Sequence, residues 1–107
     1  MELTGKCKED FEKWILKLWC VDVSLHDYFI EEFDREWESK KYGVYVDFFD
    51  SVGVDILIRA KDEYGNYQFL VFKESDELTS GIWEESRNHA RTSAITKANE
   101  IYNETND

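Results

Sequence analysis

The sequence has no proline, five glycines, one methionine and two cysteines in 107 residues. Without proline, no position after the first lacks a backbone N–H. The five glycines are scattered, so no glycine-rich phosphate loop exists. Cys7 and Cys20 fall in a stretch that reads as one helix. At 1.5 Å per residue they stand about 20 Å apart, against a disulfide limit of roughly 7 Å between Cα atoms. An intrachain bridge is therefore not expected, and a reducing cytoplasm is the expected compartment. His26 and His89 lie in separate helices with no cysteine pair nearby, which gives no zinc spacing. No apolar run approaches the roughly 20 residues of a membrane span. The stretch Met1-Glu2-Leu3-Thr4-Gly5-Lys6 has no apolar secretory core. No membrane, metal or cofactor is expected.

Basic residues are also few: 13 Lys and Arg against 24 Asp and Glu, for a net charge of −11. Such a chain is repelled by nucleic acid and by anionic lipid. Direct nucleic-acid binding is not expected, and a partner with a basic surface fits better. What is abundant is aromatic. Phe, Trp and Tyr make up 16% of the chain, and the apolar fraction is 42%. That suffices for one core in a single domain spanning residues 1–107, despite 35% charged residues.

Periodicity then places the elements. Phe11, Trp14, Ile15 and Leu18 fall at i, i+3, i+4 and i+7, the stripe of an amphipathic helix ending near Cys20. Ser24 is a good N-cap for a second helix, with Leu25, Phe29, Ile30, Phe33 and Trp37 on its apolar face. Residues 41–52 fit either a strand or a helix. A helix is preferred, because Gly53 sits where a left-handed C-terminal cap belongs. Val54, Ile56 and Ile58, then Tyr67, Phe69 and Val71, alternate on either side of the turn-rich Asp62-Glu63-Tyr64-Gly65-Asn66, which predicts a β-hairpin. Both strands are apolar on both faces, so helices are expected to cover the sheet. Gly81-Ile82-Trp83 is a candidate third strand. Ser86 caps a last helix with an alanine stripe, Ala90, Ala94 and Ala98, suited to close packing, and fraying is expected from Asn103. The class is α+β: N-terminal helices, a central antiparallel β-hairpin or three-stranded sheet, and a C-terminal helix packed on the sheet.

The charge imbalance is local. Residues 21–40 and residues 61–85 each hold seven acids and two bases. The candidate partner-binding residues are Glu31, Glu32, Asp34, Glu36 and Glu38 in the first segment. In the second they are Asp62, Glu63, Glu74, Asp76 and Glu77. Carboxylates a few ångströms apart imitate a row of phosphates, and a basic partner that neutralises them relieves their repulsion.

Enzymatic readings are poorly supported, and no catalytic residues are assigned. Asp55 followed by Lys73 resembles the outer positions of a restriction-nuclease-like metal site. Val71, however, stands where that site needs its second carboxylate. Asp47, Asp50 and Asp55 could group around a cation, but no calcium-loop pattern accompanies them. The order of helix, strands and final helix resembles double-stranded-RNA-binding domains. Those domains use lysines at the start of the last helix, where this chain offers only Arg87 and Arg91 after Glu84 and Glu85.

Two longer stretches carry a family resemblance. They are Tyr42-Gly43-Val44-Tyr45-Val46-Asp47-Phe48-Phe49-Asp50-Ser51-Val52-Gly53 and Ala90-Arg91-Thr92-Ser93-Ala94-Ile95-Thr96-Lys97-Ala98-Asn99-Glu100-Ile101-Tyr102-Asn103. Together they resemble small bacteriophage and prophage proteins of Bacteroidetes-type bacteria, a group without catalytic residues to carry over. The resemblance implies a non-enzymatic inhibitor of host defence, anti-CRISPR-like, whose partner is a basic host protein or CRISPR effector. One alternative is a degenerate metal nuclease using Asp55 and Lys73. Another is a phage accessory protein that oligomerises through Trp14, Trp19, Trp37 and Trp83.

Overall fold

In the first helix, α1 (Gly5–Leu18), the residues that face inward are spaced by four: Cys7, Phe11 and Ile15. A computed structural model describes residues 1–59, 63, 65–73, 76–80, 84 and 86–106, with 76–80 described for the backbone only. A short 3-10 turn, Val23–Leu25, leads into α2 (His26–Asp34), and α3 (Glu38–Ser51) follows. Residues 41–51 are thus helical and Val52 is the C-cap, as the glycine argument required. Gly53 adopts φ +84, and its amide donates to the Asp50 carbonyl at 3.2 Å. The helix buries Tyr45, Phe48 and Phe49.

The second helix is shorter than its sequence implies. It was expected to run past Trp37, but α2 stops at Asp34 and α3 starts at Glu38. Leu25, Phe29, Phe33 and Trp37 repeat every four residues, and each step of four advances about 400° around a helix. On one straight helix Leu25 and Trp37 would point about 120° apart. The chain breaks instead, and only Phe33 of that set is buried. The break also reorients α3, so that Tyr45 and Phe48 reach the rings of α1.

Strand β1 (Val54–Arg59) pairs antiparallel with β2 (Gln68–Lys73), in a register that sets Ile56 opposite Val71 and Ile58 opposite Phe69. A third segment, β3 (Asp76–Ser80), pairs antiparallel with the other side of β2, with a register shift at Val71/Phe72. Sheet order is β1-β2-β3. The Gly81-Ile82-Trp83 segment lies outside the described residues. Beyond it, Glu84 and Tyr67 exchange two backbone hydrogen bonds, of 2.6 and 2.7 Å. Val54, Ile56, Ile58, Phe69 and Val71 share the face turned to the core. On the opposite face Leu70 is buried, whereas Leu57 is 51% exposed.

The last helix, α4 (Arg87–Asn106), packs on the core face. Ser86 caps it, accepting from the His89 amide at 3.1 Å. Ala90, Ala94 and Ala98 are fully buried; their small side chains let the helix backbone approach the sheet closely. Phe11 is the hub of the core. Its ring lies 5.4 Å from Phe33, 5.0 Å from Tyr45 and 5.5 Å from Phe48. The Tyr45 and Phe48 rings stand edge-on to it, and such pairs add about 0.5–1.5 kcal/mol each beyond burial.

The start of α1 is capped from a distance. Thr4 is its N-cap residue but makes no local side-chain cap. The amides of Thr4 and Cys7 donate instead to Asn99 Oδ1 at 2.9 Å and Asn103 Oδ1 at 2.8 Å, both on α4. Asn99 Nδ2 returns a bond to Thr4 Oγ1, and Asn103 Nδ2 one to the Thr4 carbonyl. Gly5 permits this approach: its φ is +59, and a Cβ there would stand 3.2 Å from the Asn103 amide. Because of these bonds the helix does not fray at Asn103 but continues to Asn106.

Candidate functional site

The acidic surface is built on the chain reversal after α1. Trp19 is the C-cap; the Cys20 amide donates to the Lys17 carbonyl and the Val21 amide to the Leu16 carbonyl. This pair of bonds is a Schellman motif, which needs a left-handed residue at Cys20. Cys20 has φ +51 without being glycine. Its thiol is exposed and free. Cys20→Gly is therefore expected to raise stability by about 0.5–1 kcal/mol, visible as a higher urea midpoint. Next, Asp22 accepts from both the amide and the hydroxyl of Ser24, at 2.9 and 2.7 Å. Those two bonds hold the Asp22 carboxyl below its usual range. The expectation that Ser24 caps α2 is corrected: Leu25 is the N-cap residue and makes no side-chain cap, while Asp22, two residues before Ser24, caps the 3-10 turn and Ser24 donates to it.

From there α2 carries Asp27, Glu31, Glu32 and Asp34 and no Lys or Arg. Asp27, Glu31 and Asp34 fall at i, i+4 and i+7, along one side of the helix. Glu31, Glu32, Asp34 and Glu38 are exposed, and Glu36 is half-buried. The expectation that all five lie on one helix is corrected. Glu36 sits in the break and Glu38 opens α3. Three of the five carboxylates are ion-paired, and the Asp34 carbonyl accepts from Lys41 Nζ at 3.4 Å. Glu32 pairs with Arg35 at 3.1 Å, Glu36 with Lys40 at 3.2 Å, and Glu38 with the Met1 amino group at 3.3 Å. The exposed Glu32 and Glu36 pairs hold their partners weakly, at about 0–1 kcal/mol each. In the second acidic segment Glu63 is an exposed turn residue. Asp76 and Glu77 are placed in β3 by backbone alone, and Asp62 and Glu74 lie outside the described residues.

The same surface exposes large apolar side chains. Trp37 is 82% exposed, Val23 80% and Trp19 54%; Leu25 and Tyr28 are also open. Trp19 stands edge-on to Phe29 at 5.4 Å. Between α2 and α3 a cleft of about 80 Å³ is lined by Trp19, Phe29 and Val44 and rimmed by Glu32, Glu36 and Lys40. Sequence reasoning assigned Leu25 and Trp37 to the core. The available signal was the drift of a four-residue repeat, which cannot keep both ends of a long stripe inward.

Among the described residues, the Asp55 and Lys73 of the nuclease reading are not brought together. Asp55 pairs with Phe72 and Lys73 with Val54, so alternation puts Asp55 and Lys73 on opposite faces of the sheet. Lys73 lines a cavity against Tyr102 and Asn106, while the intervening Val71 is fully buried. The nuclease-like arrangement is thus not formed. A hydrogen bond that the protonated Asp55 donates to the Asp50 carboxylate raises the Asp55 carboxyl, but no group of three or more metal-ligating side chains occurs among the described residues. His26 Nε2 lies 3.1 Å from the Val21 carbonyl oxygen, a local contact. Burial pushes the Cys7 thiol up to about 12, so it stays protonated and inert at neutral pH. Of the tryptophans, Trp14 packs on Phe11 and Phe48, and Trp83 lies outside the described residues.

Among the described residues, no helix is long and apolar enough to cross a membrane. No family model, curated protein or solved structure matches the chain.

Proposed function

We propose that the protein acts by binding, setting its α2 surface on a basic surface of a partner that handles nucleic acid. One observation carries this reading. A helix with four acids and no base stands beside exposed Trp19, Leu25, Tyr28 and Trp37. Carboxylates on successive turns offer a Lys- and Arg-lined channel a substitute for phosphates. The aromatic side chains supply the desolvated centre that a stable interface needs. The weak pairs of Glu32 and Glu36 are readily exchanged for a partner's cations. By the resemblance, the partner class is a host defence protein, such as a CRISPR effector, met in the bacterial cytoplasm.

The test begins with capture from nuclease-treated bacterial lysate, followed by binding of the purified partner. The triple variant Glu31→Lys, Glu32→Lys, Asp34→Lys is expected to bind at least about 100-fold more weakly while keeping its helical circular dichroism. Wild-type affinity is expected to fall at least about tenfold from low to high salt. Unchanged binding by the folded triple variant sinks the reading. The exposed Trp19 and Trp37 also favour a second reading, self-association through this surface. Light scattering that shows an assembly dispersed by Trp37→Ala would favour that one instead.

A further inference from the structure

A chain with a net charge of −11 nevertheless gathers three of its four arginines, Arg59, Arg87 and Arg91, around one open groove of about 310 Å³. None of the three has an ion-pair partner among the described residues. Glu38, which lines an adjoining cavity with Arg91, is held by the Met1 amino group instead. Two of the guanidinium groups are pre-set by aromatic rings: Arg91 lies 5.0 Å from the Tyr42 centroid and Arg87 5.3 Å from that of Tyr67. Arg87 opens α4, whose first turn holds no acid, so the helix dipole adds to the positive field.

The floor of the groove says what shape of ligand fits. It is formed by Ile56, Leu57, Ile58 and Arg59, four consecutive residues of β1. Neighbouring side chains of a strand point to opposite faces. A groove touching all four must therefore run along the edge of the strand, where its backbone is. β1 is the outer strand of the sheet, so that edge has no strand paired to it among the described residues. An open edge of this kind is a template for another extended chain.

We propose that this groove takes an extended acidic segment of a partner polypeptide, laid along β1 as an added strand with its carboxylates on Arg59, Arg87 and Arg91. Backbone bonds to β1 give the segment its register. Ile56, Leu57 and Ile58 receive its apolar residues, and the arginines select acid over base. A free phosphate would use neither the strand edge nor the apolar floor, and a duplex is opposed by the net charge. The surface is separate from α2 and stands whether or not α2 binds a basic partner.

The probe is a fluorescein-labelled peptide of alternating Glu and Val, about eight residues long to match a strand with its flanks. Its binding is followed by anisotropy, and β1 amides by hydrogen exchange. The Glu–Val peptide is expected to bind and to slow exchange in β1, while a Lys–Val peptide does not bind. Arg87→Glu/Arg91→Glu is expected to weaken binding at least about tenfold, and the matching Lys pair to retain most of it. The lysine reversal on α2 leaves peptide binding unchanged, which separates this surface from the other. Should the Glu pair unfold, the peptide comparison and the β1 exchange on the unaltered protein decide. Three results overturn the proposal. One is no Glu–Val binding. Another is oligothymidylate binding through the same arginines without β1 protection. The last is self-association abolished by the Glu pair, which would make a second copy the occupant.

Discussion

Phe48→Ala is expected to lower the unfolding free energy by about 3–5 kcal/mol, the largest single loss in this fold. Phe48 is 1% exposed and meets four rings: Phe11, Trp14, Phe49 and Tyr102, at centroid distances of 5.4 to 5.8 Å. Those rings come from α1, α3 and α4, so the truncation opens a cavity where three helices meet and no single side chain can fill it. A domain of this size holds about 5–15 kcal/mol in total. The urea midpoint should therefore drop by about 2 M. Trp37→Ala is the control, since its ring lies open in the break between α2 and α3, and its unfolding free energy should stay within about 0.5 kcal/mol of wild type, a midpoint shift of about 0.25 M. A Phe48→Ala midpoint as close as that to wild type would show that the aromatic cluster is not the stabilising centre.

Asn99→Ala should cost about 2–3 kcal/mol, more than a polar residue on an outer helix normally does. Asn99 is buried, and its amide group serves Thr4 twice, accepting from the backbone and donating to the hydroxyl. Removal leaves an orphan donor at the head of α1, and the gain in helix propensity from alanine, about 0.5 kcal/mol, recovers only part. Exchange of the Thr4 amide should speed up more than that of amides at the far end of the same helix, while the Cys7 amide keeps its bond to Asn103. A uniform change along α1 would mean that Asn99 acts through general packing and not as a cap.

How much of this was legible in the sequence depended on whether the deciding contact was local. Periodicity found α1, the hairpin and α4, because Phe11 and Ile15, Ile56 and Ile58, and the alanines of α4 each mark a face by spacing alone. Gly53 decided α3 in favour of a helix, since a left-handed residue after residue 52 has a backbone reason that sequence shows directly. The break at residues 35–37 left one faint mark, the drift of the four-residue repeat from Leu25 to Trp37; no glycine or proline accompanies it, and the contacts of Tyr45 and Phe48 with Phe11 that settle it are distant in sequence. The caps of α1 were invisible for the same reason, being supplied from Asn99 and Asn103. In the acidic segment the residues were found but not their arrangement, because Arg35, Lys40 and the Met1 amino group reach Glu32, Glu36 and Glu38 only once the chain turns. The arginine groove left no mark, as Arg59 and Arg91 are far apart in the chain and meet through the packing of α4 on β1.

The long-distance capping of α1 has a bearing on synthesis. A helix whose first amides are closed by its own neighbours can consolidate as soon as it leaves the ribosome. Here the partners of Thr4 and Cys7 are made more than ninety residues later. The opening turn must therefore wait, unlatched, until Asn99 and Asn103 have cleared the exit tunnel, so α1 is made well before it can be locked.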